Sequence, residues 1–260
     1  MEKLYSILWF TLGMFVAWAI LMFPRLRRSK PKDEANLTEA DEFSEPLIKA
    51  ENVLIKTTED SSNAIIMISK SYFLGISGFH SENMKLLEAI ETEIEEFNQR
   101  AKRLKANTYR IIQQLRNDSI ETGHYYVQIV DYLREMAHSI KYVVRPLNDH
   151  LKNEHKPFAE DQHTELTQFS SQVTDFLNFA LHIIKESRFE QIEELIQKRQ
   201  AILELMREQE KRQIRRIKRK ETNSRNSVLY FGLMSETKHL LLQSVNLLKA
   251  TRDFVSYTKS

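Results

Sequence analysis

The sequence predicts an all-α protein with one membrane-spanning helix at its N-terminus and a helical bundle after it. Glycine and proline, which end helices and form turns, occur only five times each in 260 residues. One uncharged stretch near the N-terminus is long enough to cross a bilayer. Apolar residues recur at spacings of three and four along most of the remaining chain, which is the pattern of amphipathic helices.

The predicted transmembrane helix covers residues 4–23, LYSILWFTLGMFVAWAILMF. At ~1.5 Å per residue, a helix of this length covers the ~30 Å hydrocarbon layer. A cleaved signal peptide is the alternative, but its apolar core would be shorter and its cations would precede it. Here the cations follow the stretch: Arg25, Arg27, Arg28, Lys30 and Lys32. The positive-inside rule therefore predicts a single-pass protein of the cell inner membrane, with its C-terminal domain in the cytoplasm.

Composition excludes several classes of function. The absence of cysteine excludes a disulfide framework, a thiolate zinc site, an iron–sulfur cluster and a cysteine nucleophile. The 38 basic and 36 acidic residues leave a net charge of +2, so nucleic acid is not an expected partner. The sequence contains no Gly-rich phosphate loop, nucleophile elbow or metalloprotease motif. We therefore expect that the protein is not an enzyme.

A charged linker, residues 24–46, precedes the predicted bundle. The first helix is expected to stop near Gly75 and Gly78, and the third helix is expected to end at Pro146. Six helices are predicted by the apolar periodicity, at about 47–76, 82–116, 120–145, 160–186, 189–220 and 227–257.

The helix pattern of the bundle recurs once. Shifting the chain by about 105 residues places Tyr125 on Tyr230 and Ser139 on Ser244. Together with the order of the helices, this match predicts two three-helix repeats, at about 47–156 and 157–258. Each repeat is expected to bury its apolar stripes against its own helices.

Two helices carry a resemblance to a known family. The third, from Asn117-Asp-Ser-Ile-Glu-Thr-Gly-His124 to His138, is similar to part of the PhoU-type domain that follows some bacterial PiT-type inorganic phosphate permeases. The last helix, from Asn226 to Phe254, is similar to the closing helix of that domain. The resemblance covers about residues 81–258, and the anchor resembles the last membrane helix of such a permease.

This resemblance implies a PhoU-like bundle and a non-catalytic regulatory or accessory role in inorganic phosphate transport. The chain would be the tail of a split or truncated permease, or a separate subunit. Its expected partners are the membrane domain of a phosphate permease and membrane lipids, with a homo-oligomer as a further option. A structural membrane-tethered adaptor is an alternative function.

The resemblance also implies a metal site, because PhoU-type proteins bind metal clusters at an acidic motif on one helix of each repeat. Asp131 and Glu135 have the motif's spacing, and His138 could add a nitrogen ligand to a divalent transition metal. In the second repeat, Glu236 is followed four residues later by Leu240. We therefore expect at most one metal site; the alternative is a hydrated polar face without metal.

Two Glu-x-x-His motifs suggest a different alternative, a di-metal carboxylate enzyme. They are Glu135–His138 and Glu236–His239, each within a predicted helix. Such a centre would also need two further inward-facing glutamates, and the motifs align with polar rather than apolar helix faces.

The fifth predicted helix ends in a strongly basic run, residues 211–220. A surface of this kind would contact anionic lipid or the permease; a solvated helix end and a nucleic-acid contact are the alternatives. The predicted basic surface consists of Lys211, Arg212, Arg215, Arg216, Lys218, Arg219 and Lys220.

Overall fold

The computed structural model describes residues 48–115 and 120–259. In this part of the chain six long helices follow one another, and a 3₁₀ turn, Phe189–Gln191, leads directly into the fifth. The helices are α1 (Ala50–His80), α2 (Met84–Gln114), α3 (Ile120–Lys152), α4 (Glu160–Lys185), α5 (Ile192–Lys218) and α6 (Ser224–Lys259). The all-helical prediction is confirmed for these residues.

The predicted transmembrane helix, residues 4–23, and most of the predicted linker lie outside the described residues. Among residues 48–115 and 120–259, no helix has the length and apolar character needed to span a membrane.

Helix α1 ends at His80, later than the predicted end near residue 76, because neither of its glycines ends it. Gly75 and Gly78 are both buried inside the helix. A side chain at Gly75 would place its Cβ 2.9 Å from Val144 Cγ2 on α3, so this glycine allows the two helices to approach closely. The chain turns later, at Glu82, which adopts a left-handed backbone conformation with φ of 50°.

Pro146 does not end α3, contrary to the prediction. The helix continues through it to Lys152. Proline lacks the N–H that would bond to the carbonyl four residues earlier. Val144 and Leu147, on either side of it, are fully buried, and their packing holds the helix together across the missing hydrogen bond.

The two repeats share one core instead of packing separately. The most extensive helix–helix contact joins α3 to α6, and α1 also packs along α4. The helices of each repeat contact one another as predicted, but the stripes are also buried between the repeats, which the prediction did not include. The physical reason is the breadth of the apolar stripe of α3, whose buried residues include the adjacent pairs Ile129/Val130 and Val143/Val144. A stripe of this breadth faces more than one neighbouring helix.

Burial establishes how positions in the two repeats correspond. In the first two helices of each repeat, buried residues coincide 105 positions apart: Ala64 with Phe169, Ile68 with Val173, Tyr72 with Leu177, Leu87 with Ile192 and Ile90 with Leu195. In α3 and α6 they coincide 104 positions apart: Tyr126 with Tyr230, Ile129 with Leu233, Val130 with Met234, Met136 with Leu240 and Val144 with Leu248. The predicted pairing of Tyr125 with Tyr230 is thus wrong by one residue.

Candidate functional site

The predicted metal ligands lie on the outer side of α3, and each already has a protein partner. Asp131 Oδ1 accepts a hydrogen bond from Lys105 Nζ at 2.7 Å. Glu135 pairs with Arg134 at 3.6 Å. The ring of His138 contacts that of Tyr142, with 4.4 Å between centroids. Among the described residues, no group of three or more histidine, aspartate or glutamate side chains is arranged to hold a metal ion. Metal binding here stays a prediction.

The corrected correspondence of the repeats changes the comparison of their acidic faces. A shift of 104 positions places Asp131 on Ser235 and Glu135 on His239. The second repeat therefore lacks a carboxylate at both positions, whereas a shift of 105 positions would place Asp131 on Glu236. The acidic face is a feature of α3 alone.

His239, one residue of the di-metal alternative, is also occupied by other contacts. His239 Nδ1 lies 3.0 Å from Ser139 Oγ, across the contact between α6 and α3. Its other ring nitrogen, Nε2, lies 2.9 Å from the side-chain nitrogen of Gln243. With both ring nitrogens in hydrogen bonds, His239 has no free ligand atom in this conformation.

The basic run divides into a buried residue and an exposed surface. Arg216 is only 6% exposed, so its inclusion in the predicted basic surface was wrong. The reason is that the side chain points into the bundle toward two acids of α4. We define the basic surface as the remaining exposed cations: Lys211, Arg212, Arg215, Lys218, Arg219 and Lys220.

Several cations of the basic surface are not neutralised. Within the described residues, Arg215, Lys218 and Lys220 make no ion pair, whereas Lys211 pairs with Glu208 at 2.7 Å. Two isoleucines of the same helix end are also exposed: Ile214 by 45% and Ile217 by 43%. Exposed apolar side chains among unpaired cations are typical of surfaces that contact anionic membranes.

Arg216 belongs to a buried ion-pair network that the sequence analysis did not identify. Its Nη1 and Nη2 bind the two carboxylate oxygens of Glu165 at 3.0 and 2.8 Å, and its Nε binds Asp161 at 2.7 Å. Tyr230 donates to Glu165 Oε2 at 2.8 Å. Burial disfavours the charge of Arg216, but the hydrogen bonds that it donates to Glu165 and Asp161 outweigh burial and raise its pKa. The network joins α4, α5 and α6.

A sequence signal for this network existed. Arg216 lies three and seven positions after Gln213 and Gln209, both fully buried on the inner face of α5. Helical spacing therefore places Arg216 on the buried face of α5, and a buried arginine requires an acidic partner inside the bundle.

Four histidines lie together at one end of the bundle. Phe79 separates His150 from His163, with ring centroids 5.5 and 5.6 Å away. His80 lies 4.9 Å from His163, and His155 lies 5.3 Å from His150. We call His80, His150, His155 and His163 the histidine cluster. Its members lie on α1, α3, the connection after α3, and α4, so sequence spacing could not reveal the cluster.

Three members of the histidine cluster line cavities: His150 and His155 line two, of about 340 and 480 Å³, and His163 lines the smaller one. Arg225 Nη1 lies 2.7 Å from His155 Nε2 beside the larger cavity. Burial lowers the pKa of His150 and of His163, since the imidazolium form loses hydration there. The surroundings of His150 and His163 therefore oppose the protonation of these two rings.

Comparison with known proteins identifies the fold. No family model matches the sequence, and no curated protein matches it. Among solved structures, the chain is similar to the phosphate transport system regulatory protein PhoU from Streptococcus pneumoniae, with a TM-score of 0.65 and 13% sequence identity. The similarity covers 80% of this chain and 97% of that protein. At this identity the likeness establishes the fold alone: the described part of the chain is an all-helical bundle with a PhoU-like fold.

Proposed function

We propose that this protein is a non-catalytic regulatory or accessory component of inorganic phosphate transport. The observation that carries the proposal is the fold, since the similarity covers 97% of a phosphate transport regulator. In this chain the two repeats of three helices follow each other without a long insertion, because α3 and α4 are joined by residues 153–159 only.

The proposal includes a position at the membrane. Residues 4–23 are uncharged and are followed by the cations Arg25 to Lys32, which favours a cytoplasmic bundle tethered to the inner membrane. The basic surface supports this position, because a tethered domain stays near the anionic leaflet that its unpaired cations would attract.

The proposed partner is the membrane domain of a phosphate permease of the PiT type. The chain would then be the tail of a split or truncated permease, or a separate subunit that acts on one. In either case the bundle would change its contacts with the permease as the supply of phosphate changes. A permease gene without its own C-terminal helical domain, next to the gene of this protein, would support the split arrangement.

Recovery of the partner tests the proposal. The full-length chain, tagged at its C-terminus, is crosslinked in cells of its native host and purified from the membranes. We expect a phosphate permease among the crosslinked proteins, in amounts that change when the cells are moved between high and low phosphate. Recovery of other membrane proteins at both phosphate levels, with no phosphate permease, would support the structural adaptor instead.

A further inference from the structure

The two repeats differ most clearly where the second one contains its buried ion-pair network. The correspondence of the repeats places Asp60 at the position of Glu165 and Ile111 at the position of Arg216, 105 residues apart in each case. Tyr126 takes the position of Tyr230, 104 residues away. The first repeat thus keeps the acid and the tyrosine but has no arginine between them.

A cavity of about 330 Å³ lies where the arginine is missing. Ile111 is shorter than an arginine, so the volume that the guanidinium group of Arg216 fills in the second repeat is empty here. Apolar side chains, including Val53 and Leu104, form much of the wall. The volume lies within the range of ~300–1,000 Å³ that is typical of small-molecule sites.

The acid in this cavity is only weakly compensated. Asp60 is 29% exposed at its side chain and pairs with Lys56 at 3.6 Å, and the Lys56 side chain is itself 71% exposed. In the second repeat, Glu165 receives two hydrogen bonds from one guanidinium group. The pKa of Tyr126 is raised, mainly by burial and then by the negative charge of Asp60. The negative charge of the carboxylate is therefore felt by a side chain that lines the cavity.

The charges around the cavity indicate what would fill it. A neutral apolar ligand would remove water from Asp60 without replacing the lost hydration, which is unfavourable for a carboxylate. A planar guanidinium group matches a carboxylate in two parallel hydrogen bonds. Lys56 and Arg110 are exposed residues of the cavity lining, so they lie at its mouth and favour a negative group there.

We propose that this cavity binds a small guanidino carboxylic acid, with its guanidinium group on Asp60 and its carboxylate between Lys56 and Arg110. The guanidinium group takes the place that Arg216 occupies in the second repeat, and Tyr126 lies beside it as Tyr230 lies beside Glu165. This site does not depend on the proposed role in phosphate transport.

Calorimetry with three probes tests the ligand chemistry. The full-length chain is held in lipid nanodiscs, which keep detergent out of the apolar cavity, and is titrated with 4-guanidinobutyrate, agmatine or butyrate. We expect saturable binding of 4-guanidinobutyrate at one site per chain, weaker binding of agmatine, which lacks the carboxylate, and no binding of butyrate. Butyrate binding as tight as that of 4-guanidinobutyrate, or no binding of any probe at millimolar concentration, overturns the proposal.

Variants locate the site. Asp60→Asn keeps the shape of the side chain and removes its charge, so affinity for 4-guanidinobutyrate should fall about tenfold or more. Ile111→Arg recreates the arginine of the second repeat, fills the cavity and should abolish binding. Tyr109→Arg adds the same charge at a 72% exposed position outside the cavity lining and should leave binding unchanged. Equal affinity of the parent and Asp60→Asn places the ligand elsewhere and contradicts the proposal.

Discussion

The hydroxyl group of Tyr72 on α1 lies 2.8 Å from the hydroxyl group of Thr237 on α6, inside the core that the two repeats share. Thr237 donates its proton to the carbonyl of Leu233 at 2.7 Å, so Tyr72 is the donor between the two hydroxyls. The equivalent positions in the other half of the core are Leu177 and Leu133, both buried. At this pair of equivalent positions, the polar contact is therefore present in one half of the core and replaced by two leucines in the other.

Removing either hydroxyl should have unequal effects. Thr237→Val leaves the fully buried Tyr72 hydroxyl without an acceptor, which should lower the free energy of unfolding by about 1–3 kcal/mol. Tyr72→Phe leaves Thr237 bonded to Leu233 and should cost only about 0.5–1.5 kcal/mol. Urea unfolding of residues 45–260 checks this order. A greater loss in Tyr72→Phe than in Thr237→Val would contradict the assigned direction of the hydrogen bond.

Two glycines within helices allow a controlled test of how closely the helices pack. Alanine at position 75 would place its Cβ 2.9 Å from Val144 Cγ2, whereas a Cβ at Gly232 meets no atom within 4 Å. Gly75→Ala should therefore destabilise the bundle by about 1–3 kcal/mol through overpacking. Gly232→Ala should stabilise it by about 0.5–1 kcal/mol, the usual advantage of alanine in a helix. Thermal unfolding of the two variants in parallel is the measurement; stabilisation by both would show that α1 and α3 can separate at no cost.

Non-glycine residues in left-handed conformation follow four of the helices, and one of them suits a stability test. Ser187, after α4, has φ of 54°. Ser187→Gly should raise the free energy of unfolding by about 0.5–1 kcal/mol, because glycine adopts this conformation without steric cost. Glu186, its neighbour, has φ of −92° and serves as the control. Glu186→Gly should not stabilise, and a gain there equal to that of Ser187→Gly would exclude backbone conformation as the cause.

The histidine cluster should make the stability of the bundle depend on pH. The pKa values of His150 and His163 are lowered by burial, so the folded state binds fewer protons than the unfolded chain, whose histidines titrate near pH 6.5. This stability contribution is complete above about pH 6.5 and is lost as the pH falls through the lowered folded-state pKa values.

The charged neighbours of the two buried rings differ. His155 and Arg225 lower the pKa of His150, whereas Glu82 and Glu160 partly counteract the lowering at His163. His163→Gln should reduce the loss of stability between about pH 7.5 and pH 5, and His182→Gln, at an exposed position, should not. Parallel pH profiles for the parent and His163→Gln would exclude this histidine as a source of the dependence.

The basic surface predicts salt-sensitive binding to anionic vesicles. Arg215→Glu/Lys218→Glu reverses two exposed cations that make no ion pair within the described residues, and should abolish sedimentation of residues 45–260 with phosphatidylserine vesicles. Lys102→Glu/Arg103→Glu reverses two exposed cations on α2 and should bind as the parent does. Arg216 is unsuitable for this test, because its reversal would place a third acid beside Glu165 and Asp161. If both variants bind vesicles equally well, Arg215 and Lys218 do not contribute to membrane binding and are only solvated surface cations.

The sequence predicted the helices better than their packing. Apolar periodicity located every helix of the described residues, since each buries a stripe with helical spacing. It could not show that Pro146 is tolerated or that Gly75 serves a close helix contact, because both depend on Val144 and its neighbours in space. The offset between the repeats was wrong in α3 and α6 because residue identity, unlike burial, is a weak guide to equivalent positions.

The candidate sites were less predictable than the fold. Charge density in residues 211–220 correctly indicated an exposed cationic helix end, but it also included Arg216, whose acids lie on another helix. The histidine cluster and the empty counterpart of the Arg216 site arise from residues distant in sequence. Asp60 and Ile111 are not part of any recognisable sequence motif. Their proposed role is recognised only by comparison with Glu165 and Arg216 at the equivalent positions of the second repeat.

The rate of phosphate uptake tests the proposed function most directly. Uptake of radiolabelled phosphate is measured in the native host, in cells that lack the gene and in cells that carry it again, at high and low external phosphate. The proposed role predicts that loss of the gene changes the rate or its response to phosphate supply, and that the full-length chain restores both. Identical uptake in all three strains at both phosphate levels would contradict a role in phosphate transport.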